Sequence, residues 1–178
     1  MKDPVEVLLE DDHESLGQLL TELDAEMAKP NIARAFELLD LFWARLAVHI
    51  RAEHLHLFPA LTEAPASRFT GEGGLPTFEE AQSILARLRS DHDVFMRELA
   101  LMMKAMGAMI GNQLANVEEV ENWRQRLAKI ADRLEAHNLL EEHQAYTWPT
   151  LLFDQPKLAA LLARIAHELK NLPPRFAK

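Results

Sequence analysis

Eight histidines occur in the chain, and three of them, with one glutamate, fall inside the thirteen residues "HIRAEHLHLFPAL" at 49–61. Imidazole and carboxylate together can hold a transition-metal ion, relay a proton, or simply line a solvated helix face. Two strings are repeated: His49 and Glu53, and His137 and Glu141, both read His-x-x-x-Glu. On a helix, positions i and i+4 lie about 6 Å apart along the axis and nearly in line, so each pair can address one ion or two neighbouring ions. A lone histidine precedes each pair, His13 by 36 residues before His49 and His92 by 45 before His137. This order suggests two similar helical hairpins that bring their polar groups together about a pseudo-twofold axis. Cysteine is absent, which excludes disulfides, thiolate zinc sites, Cys-ligated iron–sulfur clusters and Cys nucleophiles. A metal site built from the remaining donors suits iron, zinc or manganese.

The elements that must position these residues read as long helices. "DPVE" offers a cap at Asp3, proline at the first helical position and a box-like Glu6. An apolar stripe follows at Val5, Leu9, Leu16, Leu20, Leu23 and Met27, and "KPN" stops it. A second helix is expected from about Asn31 to Phe58, with Pro59 at its end. Residues 62–76 are rich in Gly and Pro and read as a flexible connection. "TFEE" at 77–80 is a capping box for a third helix reaching Gly111, and "NVEE" at 116–119 starts a fourth that runs past His143. "DQPK" opens a short fifth helix, whose stripe of Leu158, Leu162, Ile165 and Leu169 leaves His167 on the surface. Four long helices with short connections predict an all-α fold, an antiparallel up-down four-helix bundle over 1–152, with the C-terminal helix and tail at 153–178 packed on the same domain.

At about 100° per residue each histidine takes a side of its helix. His13 falls with Leu9 and Leu16, His49 and Glu53 with Phe42, Leu46 and Leu57, and His92 with Leu88, Phe95 and Leu99. His137 and Glu141 continue the stripe of Leu127, Ile130 and Leu134. An unpaired polar group in a core costs roughly 1–3 kcal/mol, so inward polar groups on all four helices need partners, and a shared metal supplies them at once. His54 lies about 140° from His49 and His143 about 120° from His137, which makes them exposed or outer groups rather than ligands. The Glu-x-x-His strings at Glu10–His13 and Glu53–His56 have no counterpart in the second half and read as incidental. Met102, Met106 and Met109 follow helical spacing and read as core packing rather than a copper-thioether site.

Four segments, "DDHES", "HIRAEHLHLFPAL", "RSDHDVFMREL" and "HNLLEEHQAYTWP", taken in order, resemble the hemerythrin-like, HHE cation-binding family over about residues 5–149. The resemblance implies a hemerythrin-like bundle with a non-haem di-iron centre: two iron ions, carboxylate-bridged, with zinc or manganese as alternatives. Its implied ligands are His13, His49, Glu53, His92, His137 and Glu141, with Glu53 and Glu141 as bridges. Oxygen carriers of this type have a second histidine one turn from that of the third helix, where this chain has Leu88 and Met96. His56 is the further candidate for that place, about 20° from His49 in projection but ~10 Å along the axis. The loss argues against reversible oxygen carriage.

The expected function is therefore binding or sensing of dioxygen or another small diatomic. The alternatives are a di-iron enzyme acting on peroxide or nitric oxide, and a single-metal structural or storage bundle. A net charge of −9 argues against nucleic acid and anionic membranes as partners. No leader and no span of ~20 apolar residues is read, so the expected location is cytoplasmic. The fifth helix is the candidate surface for a homo-oligomer or a signalling partner.

Overall fold

The computed structural model describes residues 2–29, 32–112 and 117–176. Helix α1 (Pro4–Met27) starts where Asp3 accepts the Val5 N–H at 2.7 Å, while Glu6 accepts the Asp3 N–H at 3.2 Å. Helix α2 (Ile32–Ala52) runs into a π-helical turn, Glu53–Leu57, and on into α3 (Phe58–Thr62). Helix α4 (Phe78–Asn112) is capped by Thr77, whose N–H and hydroxyl both donate to Glu80 at 2.8 Å. Helix α5 (Val117–Leu140) runs into a second π-helical turn, Glu141–Ala145, followed by α6 (Trp148–Leu152). Helix α7 (Gln155–Leu169) is capped by Asp154, which accepts the Lys157 N–H at 3.0 Å. The arrangement is an all-α antiparallel four-helix bundle with a short C-terminal helix. The Asn116 start expected for the fourth helix and the Pro30 stop lie outside the described residues. Among the described residues, no helix is long and apolar enough to cross a membrane.

The second helix does not end at Phe58. It continues to Thr62 because the π turn resets the hydrogen-bond register: the Phe58 N–H reaches back to the Glu53 carbonyl, and Pro59 falls in the first turn of α3. There a missing N–H costs nothing. The 62–76 connection packs onto the bundle. A 3-10 turn, Ala66–Arg68, leads to Phe69, which is buried edge-on against Trp148 and Phe78, with ring centroids 6.2 and 5.7 Å away. Gly71 and Gly73 then turn the chain at φ +75° and +63°, a region that favours glycine.

The apolar core is interrupted at one level. One cluster contains Leu9, Leu57, Leu88 and Ala145; the other contains Leu16, Leu46, Phe95 and Leu134. On all four bundle helices the residues between the clusters are the polar ones: His13, His49 and Glu53, His92, and His137 and Glu141. Leu20, expected on the buried stripe, is only partly buried, because it faces the seam between α1 and α5, where the two helices stand apart. Helix α7 lies across α1, α2 and the first π turn, burying Leu158, Leu161 and Ile165, with Glu168 ion-paired to Arg51.

Candidate metal centre

The six residues expected to face inward are all buried, from 0% exposure at Glu53 and Glu141 to 6% at His13. They converge as two pairs of imidazoles around two carboxylates. His13 Nε2 lies 3.1 Å from His49 Nε2, and His92 Nε2 lies 2.9 Å from His137 Nε2. Glu141 spans the pairs, with Oε2 3.3 Å from His13 and Oε1 3.1 Å from His137. Glu53 does the same, with Oε1 3.6 Å from His49 and Oε2 3.3 Å from His92. Two groups here can each hold a cation: His13, His49 and Glu141, and His92, His137 and Glu141, with ligand atoms in each group within 4.8 Å of one another.

Outer partners fix which ring nitrogen faces in. His49 Nδ1 is 2.9 Å from Asp12, His13 Nδ1 is 2.8 Å from Glu142 and His137 Nδ1 is 3.4 Å from Asp91. A carboxylate only accepts, so each Nδ1 donates and Nε2 is left for the interior. Arg45 and Arg133 hold Asp12 and Asp91 in turn, at 2.8 and 2.5 Å. His92 Nδ1 meets His54 Nε2 at 2.9 Å. Burial, then the neighbouring His92, pushes His54 below its usual range, which favours the neutral ring that can accept from His92 Nδ1.

The centre therefore gathers acceptors and few donors. Tyr146, fully buried, is the exception: its hydroxyl donates to Glu53 at 2.6 Å and sits 3.1 Å from Glu141 and 3.1 Å from His13. Burial first, then both carboxylates, raise the phenol well above its usual value, so it keeps its proton. Glu53 Oε2 and Glu141 Oε1 remain buried with no hydrogen-bond partner. Orphaned carboxylate oxygens beside inward imidazole nitrogens are what a bound cation satisfies, so the residues fit one. Without a cation, protons must serve. Burial opposes charge on His49, but Glu53 and Asp12 outweigh it and hold the ring well above the ordinary imidazole range. Burial likewise opposes the ionised form of Glu141, and His13, His137 and His92 outweigh it, keeping that carboxyl well below its usual value.

The two halves repeat more than the ligand pairs. Asp-His occurs at 12–13 and 91–92, and Arg-x-x-x-His-x-x-x-Glu at 45–53 and 133–141. Asp12, Arg45, Asp91 and Arg133 were legible in that repeat, although hydrophobic periodicity, blind to outward-facing partners, passes over them. The repeat breaks one and five residues after each glutamate: His54 answers Glu142, and Phe58, stacked on His92 at 5.9 Å, answers Tyr146.

His56, the further candidate from the sequence, is not brought to the centre. The π turn rotates it toward α7, where its Nε2 is 3.9 Å from Glu168. The same effect explains why Tyr146 was missed: on a straight α-helix it falls about 140° from Glu141, but the wider turn returns it to the inner face. His143 and His167 are exposed.

No curated protein and no solved structure matches the chain. A family model does match, that of the hemerythrin HHE cation-binding domain, over residues 5–148, the stretch that carries all four bundle helices and both His/Glu groups. The chain is a member of the hemerythrin HHE cation-binding family.

Proposed function

We propose that this protein is a non-haem di-iron protein that binds or senses dioxygen or another small diatomic. His13 and His49 would hold one iron and His92 and His137 the other, with Glu53 and Glu141 shared between them. The observation that carries this reading is the sharing of both carboxylates: each glutamate presents one oxygen to each imidazole pair. Imidazole and carboxylate donors suit iron. When bound, the iron pair would supply reversible electron transfer. The chain's own residues do the rest. Asp12, Asp91, Glu142 and His54 orient the rings. Leu16, Leu46, Phe95 and Leu134 keep water away and lower the local dielectric. Tyr146 holds a proton at its hydroxyl within reach of both bridging carboxylates.

Tyr146 also favours a second reading, an enzyme that consumes peroxide or nitric oxide, because a buried phenol beside the shared carboxylates offers a hydrogen-bond donor to a reacting ligand. Metal content and absorption spectra of anaerobic protein, repeated after exposure to oxygen, test the proposal. Two irons per chain with oxygen-dependent bands in the near ultraviolet and visible support it, and one zinc per chain with a featureless spectrum refutes it. Repeated turnover of peroxide or nitric oxide selects the enzyme, and a single stoichiometric oxidation selects the sensor.

A further inference from the structure

The seam between α1 and α5 stays open. Gly17 sits mid-helix in α1, where a side chain would meet nothing within 4 Å. No close packing requires glycine there, and its presence keeps a groove of about 590 Å³ clear between the two helices. The rim carries Glu10, Glu14, Glu135 and Glu142 against one lysine, Lys2, which Glu10 already engages at 2.6 Å. The floor is formed by His13, Leu134 and Asn138.

Those three floor residues have a second face. They also line a closed void inside the bundle, whose far wall includes His49, His137 and Glu141. Asn138 Oδ1 is buried without a hydrogen-bond partner, and so is Oε1 of the fully buried Glu141. Oxygen ligands thus line both spaces: Glu10, Glu14, Glu135 and Glu142 the groove, Glu141 the void, and Asn138 both. The opening between α4 and α5 that reaches His137 is lined instead by Arg87 and Arg133 beside Asp91. The two approaches differ in charge, and only an acidic one concentrates cations. Dioxygen, being neutral, gains nothing from carboxylates, and anions are repelled by them.

We propose that the α1–α5 groove is the path by which a divalent cation reaches the centre, with Glu14 and Glu135 collecting it at the rim and Asn138 forming the neck. This rests on the metal-centre reading above. The test is the rate of cobalt(II) uptake by the metal-free full-length chain, followed by stopped-flow absorption. Glu14→Gln with Glu135→Gln should slow uptake about tenfold at low salt, and the difference should shrink as salt is added. Gly17→Leu, which places a side chain in open groove space on a helix, should slow uptake at every salt concentration. Both variants should reach the wild-type cobalt content and final spectrum, which shows that the fold and the centre are intact. Ser90→Leu, a plug for the α4–α5 opening, should leave the rate unchanged. Wild-type rates in both groove variants, or equal slowing by Ser90→Leu, overturn the path while leaving the centre standing. Failure of the wild-type chain to bind cobalt overturns the metal-centre reading itself.

Discussion

Replacing Tyr146 by Phe removes one hydroxyl and nothing else from the centre, and its cost can be worked from the contacts. The hydroxyl donates to Glu53 Oε1 at 2.6 Å, and Glu53 Oε2 already lacks a partner, so the variant leaves a fully buried carboxyl with neither oxygen hydrogen-bonded. A hydrogen bond to a charged group contributes about 1.5–3 kcal/mol, and complete burial places this one at the upper end. The aromatic ring is kept, and Phe58 holds the equivalent place in the other half, stacked on His92, so no packing loss is added. Metal-free Tyr146→Phe should therefore lose about 3 kcal/mol, which for a chain of this size lowers Tm by about 6–12 °C. In the metal-loaded protein a cation supplies the counter-charge, and the loss should fall to about 1 kcal/mol, the worth of an ordinary hydrogen bond. The thermodynamic cycle then requires the variant to bind metal more tightly by about 2 kcal/mol, roughly 30-fold. Urea unfolding of both forms, with chelator competition for affinity, closes the cycle. A metal-free loss under about 0.5 kcal/mol refutes the assignment of the hydroxyl as the donor to Glu53 and Glu141.

The shared position of Glu141, 3.3 Å from His13 and 3.1 Å from His137, makes Glu141→Gln lower occupancy of both ions, whereas His49→Ala should lower one and His54→Ala, which removes an outer partner of His92 but no ligand, neither at saturating metal; metal content per chain checks this, and equal losses in all three break the assignment. Asp12→Asn removes the charge and leaves one accepting oxygen where His49 Nδ1 and Arg45 now use two, and should weaken metal affinity about 10–100-fold, with Asp91→Asn doing the same through His137 and Arg133; a change under about threefold in chelator competition counts against the outer carboxylates. The pH dependence should change sign with metal. His13, His49 and His137 are all raised in the metal-free chain, where burial opposes the charged ring and the neighbouring carboxylates outweigh it. Their contribution is fully present below the ordinary imidazole value and is lost as pH rises through the raised ones. Protons compete with metal for the same nitrogens, so the loaded protein should instead lose stability as pH falls. Urea midpoints at about pH 6 and about pH 9, with and without metal, should cross; parallel slopes would contradict a histidine-rich site.

The bundle was legible because a buried helix face writes its period of 3.6 into the sequence, and the capping boxes at Asp3 and Thr77 mark where helices begin. The same period placed six polar residues among apolar neighbours, and the structure sets them at one level between two apolar clusters. Other features escaped because they depend on a partner element or on a departure from the α-helix. Asp12 points away from the core of its own helix and matters only because His49 and Arg45 arrive from α2. Phe69, in a stretch of Gly and Pro, is buried only because Trp148 is there to receive it.

The π turns have the larger effect, since each begins at one of the two buried glutamates. Such turns insert a residue into the helical phase and recur at functional sites. Here each swings the side chain five places after the glutamate onto the inner face: Tyr146 in one half, Phe58 in the other. They also turn the next position toward a ring Nδ1, which meets anionic Glu142 in one half and neutral His54 in the other. The two halves thus agree in the His/Glu pairs and in the Asp and Arg that support them, and differ in the residues that follow each glutamate through its π turn. An ion at the His13 pair would have one more carboxylate and a phenol proton close by, and an ion at the His92 pair would have neither, so two chemically identical ligand pairs are given unequal surroundings.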